Sequence, residues 1–149
     1  MSRSMTRRGS AGLFAVALAT SALFVVGGAA VAAPPCTSSV TDVGFTGTIG
    51  PGDAVCGTSG NDVITSMTGG QYWGRGGNDD ITGTMSGGTF YGQGGNDGVG
   101  TMTGGEFRGA KGTDAVTSLN GGVFKGNTGV DVVTTLTSGD FRGGADGDI

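Results

Sequence analysis

Six aspartates recur at a nearly constant interval along the C-terminal two thirds of the sequence. The intervals are 17, 18, 17, 17 and 17 residues, between Asp62, Asp79, Asp97, Asp114, Asp131 and Asp148. A repeat this short cannot bury its apolar residues within one copy, so each copy must stack on the next. The interval therefore predicts a solenoid.

Apolar residues recur in phase with these aspartates. When the copies are aligned, three apolar columns appear. The aliphatic column contains Ile64, Ile81, Val99, Val116 and Val133, and the Met/Leu column contains Met67, Met85, Met102, Leu119 and Leu136. The aromatic column contains Tyr72, Phe90, Phe107, Phe124 and Phe141. Identical positions of successive coils stack about 4.8 Å apart in a parallel sheet, and glycine suits the corners because it accepts positive φ. We predict an all-β parallel β-roll, or β-solenoid, of about five coils of 17–18 residues over residues 57–149.

The N-terminus has the features of an export sequence. Three arginines precede an apolar stretch at 11–26, and Ala30-Val31-Ala32 forms an A-x-A cleavage site. These features predict a signal peptide at 1–32, with a secreted, extracellular protein that has no membrane attachment after cleavage. An uncleaved N-terminal anchor is the alternative, although the apolar stretch is short for a membrane span.

Two cysteines lie in the non-repetitive segment 33–56. Cys36 and Cys56 flank a loop rich in Gly, Pro and Thr. In a secreted chain such a pair is expected to form a disulfide, and closing a loop of this length contributes about 3 kcal/mol in the chain-entropy model. We predict that segment 33–56 is an N-terminal cap closed by this disulfide.

The charge of the chain restricts its partners and its chemistry. Without residues 1–32, five basic and twelve acidic residues remain, a net charge of −7. This charge argues against nucleic acid or an anionic membrane as a partner and favours a cationic ligand. The chain also contains no histidine, the commonest general base, and we predict that it is not an enzyme.

The corner before each of the first three aspartates carries a motif. It reads Gly-Thr-Ser-Gly-Asn-Asp at 57–62, Gly-Arg-Gly-Gly-Asn-Asp at 74–79 and Gly-Gln-Gly-Gly-Asn-Asp at 92–97. These corners resemble the nonapeptide G-G-x-G-x-D-x-U-x of the hemolysin-type (RTX) calcium-binding repeats, and the resemblance covers residues 57–149. It implies a β-roll in which Ca²⁺ bridges successive turns. Because the Gly-Gly corner of each coil lacks an aspartate, calcium is implied along one edge only.

The metal-site residues that this resemblance implies come from those three corners. They are Asp62, Asp79 and Asp97, Asn61, Asn78 and Asn96, and Gly74, Gly76, Gly92 and Gly94. The later corners, at 111–114, 128–131 and 145–148, have lost Gly or Asn. We therefore expect calcium binding to weaken towards the C-terminus.

Stacking alone also favours a cation beside the aspartates. Carboxylates about 5 Å apart repel by roughly 3 kcal/mol per pair at an effective dielectric near 20, and a hard cation with oxygen ligands relieves that repulsion. The alternative is that the aspartates only form the turn, as Asn-Asp sequences often do.

Hydroxyl residues flank the Met/Leu column and suggest a second function. They form two predicted rows: Ser66, Thr84, Thr101, Ser118 and Thr135; and Thr68, Ser86, Thr103, Asn120 and Thr137. The rows are similar to the Thr-x-Thr surfaces of β-solenoid antifreeze proteins, which implies calcium-independent recognition of ice or a polysaccharide. Ordinary strand packing of Thr on a solvated face is the plainer explanation.

The last two residues begin a further copy of the repeat. Asp148-Ile149 stops before the next apolar position, which leaves the last coil without a cap. An open strand edge of this kind either invites end-to-end stacking on another chain or indicates a truncated sequence.

Overall fold

The computed structural model describes residue 36, residues 38–39 and residues 47–149. The predicted signal peptide and most of the predicted cap segment lie outside these residues. The described part contains twelve strands and no helix: β1 (Ser38–Ser39), β2 (Thr48–Ile49), β3 (Ala54–Cys56), β4 (Val63–Ile64), β5 (Ser66–Met67), β6 (Gln71–Trp73), β7 (Asp80–Met85), β8 (Thr89–Gly94), β9 (Gly98–Met102), β10 (Glu106–Lys111), β11 (Ala115–Thr128) and β12 (Val132–Gly144). Within these ranges, no helix is long and apolar enough to cross a membrane.

The strands form two parallel ladders that share their last strands. Ladder A contains β2, β4, β5, β7, β9 and the first parts of β11 and β12. Ladder B contains β1, β3, β6, β8, β10 and the second parts of β11 and β12. The chain crosses from one ladder to the other in every coil. The predicted parallel β-solenoid is confirmed, with about six turns of about 17 residues.

The solenoid begins before the first Gly-Asn-Asp corner. Thr48 pairs with Ser66 in ladder A, and Val55 pairs with Tyr72 in ladder B. Residues 48–56 therefore supply a coil that the sequence analysis assigned to the cap, because this segment lacks the repeated corner.

One coil is a residue longer than its neighbours. The register of β7 against β9 shifts between Ile81 and Thr84, so that Thr82 and Gly83 together lie opposite Gly100. A bulge of this kind absorbs an insertion without moving the strands on either side. It explains why the interval from Asp79 to Asp97 is 18 residues rather than 17.

The predicted apolar columns form the core. Their members in the inner coils are almost fully buried, and Ile49 and Val55 extend them into the first coil. The rings of Phe90, Phe107 and Phe124 stack with centroids 4.7–4.8 Å apart, which is close to the spacing of paired strands. The stacking of coils thus sets the stacking of side chains.

The last coil is the exception to this burial. Leu136 is 56% exposed, and Val133 and Phe141 are only partly buried. These residues occupy core positions, but no further coil covers them. The prediction of Leu136 as a core residue is therefore wrong.

The predicted disulfide is present near the start of the solenoid. Cys36 and Cys56 are bonded, with their Cα atoms 5.7 Å apart. Cys56 is fully buried and ends β3, so the bond ties the segment before residue 47 to the first coil.

Candidate metal-binding corner

The residues that turn the chain from ladder B into ladder A form what we call the glycine corner. It has the pattern Gly-x-Gly-Gly-Asn-Asp at 74–79 and 92–97 and is degenerate at 109–114 and 126–131. The second and fourth positions have positive φ in each of these four corners, at Arg75, Gln93, Ala110 and Asn127 and at Gly77, Gly95, Gly112 and Gly129. The degenerate corners thus keep the backbone of the complete ones.

The aspartate that ends each corner points into the solenoid. Asp62, Asp79, Asp97, Asp114 and Asp131, which we call the aspartate column, are at most 1% exposed. Each backbone N–H in this column donates to Oδ1 of the aspartate one coil later, at 2.8–2.9 Å. The carboxyl groups therefore link successive coils.

The other carboxyl oxygen faces the first glycine of its own corner. A Cβ atom on Gly74 or Gly92 would overlap Oδ2 of Asp79 or Asp97, respectively. The same overlap would arise between Gly109 and Asp114. Glycine at the first position is thus required by the close approach of the carboxyl group.

Four of these oxygens are buried without a hydrogen bond from the described part of the chain. They are Oδ2 of Asp79, Asp97, Asp114 and Asp131. A buried ionised carboxylate is costly unless it is paired or coordinates a metal. The column therefore requires a proton or a cation in its interior.

The first aspartate of the column differs from the others. Oδ2 of Asp62 accepts a hydrogen bond from the Thr58 N–H at 2.7 Å, and the Thr58 hydroxyl lies 3.2–3.3 Å from both carboxyl oxygens. The sequence analysis missed this role of Thr58, which stands where the later corners carry Arg75 and Gln93. Of the three predicted aspartate ligands, Asp62 alone has both oxygens hydrogen-bonded.

Burial raises the pKa of four carboxyl groups of the column above the ordinary value. It raises the pKa of Asp79 to about 6, that of Asp97 to about 7 and that of Asp114 to about 6. The hydrogen bond from the preceding coil opposes this rise, and neighbouring carboxylates add to it. Burial also raises the pKa of Asp131. Near neutral pH Asp79, Asp97 and Asp114 are thus close to their own pKa.

Tyr72 adds a polar group to the same interior. Its side chain is fully buried. Burial is the main cause that raises the pKa of its hydroxyl, and the charges of Asp79 and Asp62 raise it further. A Cβ on Gly57 would overlap both this hydroxyl and the region of the Asp62 carboxyl group. Tyr72 is the one polar member of the aromatic column, and its hydroxyl faces the start of the aspartate column.

The predicted asparagine ligands lie on the other side of the backbone. Asn61, Asn78 and Asn96 are exposed. The amide oxygen of each accepts a backbone N–H one coil later, from Asn78, Asn96 and Thr113, at 2.8–2.9 Å. The structure thus separates the asparagines from the carboxyl groups, as expected for adjacent residues that point to opposite faces.

The predicted glycines divide into two kinds. Gly74 and Gly92 contact the carboxyl groups, as described above. Gly76 and Gly94 have more room, because the nearest atoms to an added Cβ are carbonyl oxygens 3.8–3.9 Å away. Backbone carbonyls are therefore the other oxygen ligands that the corner can offer.

The oxygen atoms available in the corner are of the kind that Ca²⁺ binds. Ca²⁺ accepts carboxylate and carbonyl oxygens in flexible geometry, and both are present in the corner. Among residues 36, 38–39 and 47–149, no group of three His, Cys, Asp or Glu side chains could hold a metal ion. An ion in the column would thus have at most two carboxylates, one from each of two adjacent coils, and would need carbonyl oxygens for the rest.

The hydroxyl rows are only partly aligned. Thr84, Thr101, Ser118 and Thr135 follow one another in register in ladder A, and Thr48 with Ser66 begins the same row. In the second row the register shifts after Leu119, so that Asn120 pairs with Ser138. The predicted alignment of Thr137 with Asn120 is therefore wrong.

No protein-family model, curated protein or solved structure matches the chain. The likeness to RTX repeats accordingly depends on the glycine corners and on the coil architecture.

Proposed function

We propose that this chain is a secreted, RTX-like calcium-binding protein in which Ca²⁺ lies along the aspartate column. The observation that carries the proposal is the row of four buried carboxyl oxygens, one in each of four successive coils, that have no hydrogen-bond partner in the described part of the chain. A divalent cation between neighbouring carboxylates would compensate their charge and remove their mutual repulsion. Its role would be structural, in a domain that acts outside the cell or at its surface.

The residues that would hold the ions are the carboxylates of successive coils. Asp79 and Asp97 would share one ion, and backbone carbonyls of the glycine corner would complete its shell. The asparagines would act indirectly, since their amide oxygens already accept hydrogen bonds between coils. Bound Ca²⁺ supplies charge compensation and a cross-link between coils.

A secreted location agrees with the disulfide. Disulfides persist in oxidising compartments and are rare in the cytosol, and Cys36–Cys56 is formed here. Recognition of ice or a polysaccharide through the hydroxyl rows has less support, because the second row loses its alignment at Asn120.

Calcium removal tests the proposal directly. We expect the purified protein to lose β-structure or melting temperature when a chelator removes Ca²⁺, and to regain both at millimolar Ca²⁺, the range of extracellular calcium modules. Circular dichroism and thermal melting measure both effects, and equal concentrations of Mg²⁺ provide the control for ionic strength. An unchanged spectrum and melting temperature in excess chelator would contradict the proposal.

A further inference from the structure

A trough crosses the outer face of ladder A at the fourth coil. Its floor is formed where Gly98 and Gly100 replace the outward side chains of the neighbouring coils. Asp80 and Ala115 pair with Gly98 on either side, and Thr117 lines the far wall. The missing side chains leave an open cavity of about 690 Å³, within the usual size range of small-molecule sites, roughly 300–1,000 Å³.

One wall of the trough presents a carboxylate. Asp80 leans across the floor, since an added Cβ on Gly98 would lie 2.9 Å from its Oδ1. The backbone N–H of Asp80 donates to the Asp62 carbonyl, but its carboxyl group makes no hydrogen bond or ion pair with any residue in the described ranges. Unlike its neighbour Asp79, it points outward and does not belong to the aspartate column. Both of its oxygens are therefore available to a ligand.

The end of the trough presents hydrogen-bond donors. Asn78 and Asn96 line it, and their amide oxygens accept backbone N–H groups from the next coil. Those bonds fix each amide so that its NH₂ group is left to donate. Thr117, on the far wall, carries a hydroxyl group. Two amides, a hydroxyl residue and a carboxylate thus line one open space.

We propose that this trough binds one ring of a neutral saccharide. Vicinal sugar hydroxyls donate to the two oxygens of a carboxylate such as Asp80 and accept from amide NH₂ groups, which matches the polar groups around the glycine floor. Phosphate, sulfate or a uronic acid would be repelled by Asp80 in a chain of net negative charge. Asp79 and Asp97 of the proposed calcium column also line the trough, but they are buried and their carboxyl groups point into the solenoid, away from the saccharide.

The test is an amide NMR titration of the protein in calcium-containing buffer. The probes are glucose, galactose, mannose and N-acetylglucosamine, with methylammonium chloride as the cationic probe. We expect at least one sugar to shift the backbone signals of Gly98 and Gly100 and the side-chain NH₂ signals of Asn78 and Asn96. The titration should saturate with a dissociation constant on the order of 1 mM.

Two variants locate the ligand. Gly98→Val fills the floor, and the fold accepts valine at this register position because Val63 and Val132 occupy it in other coils. We expect it to weaken sugar binding at least tenfold. Asp80→Asn keeps the shape, removes one acceptor oxygen and should weaken binding about fivefold. Val63→Ala, at the same register position but outside the trough, is the matched control and should bind as the wild type does.

Three results would overturn the proposal. The first is the absence of shifts with every sugar, and the second is undiminished binding by both Gly98→Val and Asp80→Asn. The third is a response to methylammonium with none to the sugars, which would make the trough a cation site. If Gly98→Val does not fold, the exposed substitution Asp80→Asn alone decides whether the sugar lies in the trough.

Discussion

At the scale of single residues, the glycine corner combines two different demands on its glycines. Gly74 and Gly92 must be glycine because a carboxyl oxygen occupies the place of a side chain. Gly77 and Gly95 must be glycine because they have positive φ and because the carbonyl of the preceding coil lies against them. Gly94 meets neither demand, although it directly precedes Gly95. The two positions therefore allow a matched comparison.

We expect Gly95→Ala to destabilise the protein much more than Gly94→Ala. Gly95 has φ of +120°, and its added Cβ would overlap the carbonyl oxygen of Gly77. At Gly94 the nearest atom, the Arg75 carbonyl oxygen, is 3.8 Å from the added Cβ. A strained backbone with a steric clash costs about 2 kcal/mol or more, whereas an unstrained Gly→Ala change costs little or stabilises. Thermal melting of both variants measures the difference, and equal melting temperatures would contradict this account of the corner.

At the scale of structural elements, the aspartate column connects the coils that the two ladders stack. Every carboxyl group in it except that of Asp62 accepts a backbone N–H of the preceding coil through one oxygen and leaves the second oxygen buried without a hydrogen bond from the described part of the chain. The arrangement is tolerable when the second oxygen carries a proton or contacts a cation. The protonation of the column and its metal binding must therefore compete.

This competition predicts an unusual pH dependence for the calcium-free protein. The pKa of Asp97 is raised from 3.8 to about 7 in the folded state, so the folded state binds this proton more tightly than the unfolded state does. The resulting stability is fully present below about pH 4 and is lost as the pH rises through about 7. We expect the melting temperature to be at least about 4 °C lower at pH 8 than at pH 5, the effect of roughly 1 kcal/mol in a small domain.

Melting curves of protein stripped of calcium by a chelating resin provide the measurement. In Asp97→Asn, which keeps the Oδ1 acceptor for the Asp79 N–H, the dependence on pH should be smaller. Saturating Ca²⁺ should reduce or reverse the trend, because the ion displaces the proton. A calcium-free melting temperature that rises from pH 5 to pH 8 would show that the column is not protonated as described.

At the scale of the whole molecule, the solenoid is not uniform from end to end. The inner coils bury their core almost completely, whereas Leu136 in the last coil is 56% exposed. The aspartate column continues through both regions with the same hydrogen bonds. The carboxyl geometry is therefore similar along the column, while its surroundings become more exposed towards the C-terminus.

We expect Asp79→Asn to reduce calcium binding more than Asp131→Asn. Asp79 and the next aspartate, Asp97, both lie in complete glycine corners. Asp131 instead follows Val130 in a degenerate corner, and its N–H donates to the half-buried Asp148. Both substitutions keep an oxygen acceptor for the preceding coil, so they are matched in structure. Isothermal titration calorimetry should give a loss of about tenfold, or 1.4 kcal/mol, for Asp79→Asn and a smaller loss for Asp131→Asn. Equal losses would mean that the carboxylates alone, and not the complete motif, determine affinity.

The architecture of this protein can be derived from its sequence. The interval of 17–18 residues, the apolar columns and the corner glycines require stacked parallel coils, because no single coil can bury its own apolar residues. The pairing of Cys36 with Cys56 also followed from the sequence. These features depend on periodicity and on residue type, both of which can be read without coordinates.

Which groups contact one another is known only from the tertiary structure. Asp79 and Asn78 are neighbours in one motif. Stacking nevertheless buries Asp79 and leaves its Oδ2 without a hydrogen bond from the described part of the chain. Asn78 stays on the outer surface, where its amide oxygen accepts the Asn96 N–H of the next coil. The coil at 48–56 and the trough over Gly98 arise from pairing with adjacent coils, and neither has a motif of its own. Partners 17 or 18 residues away determine burial and hydrogen bonding in a solenoid, so these properties depend on the register of the coils.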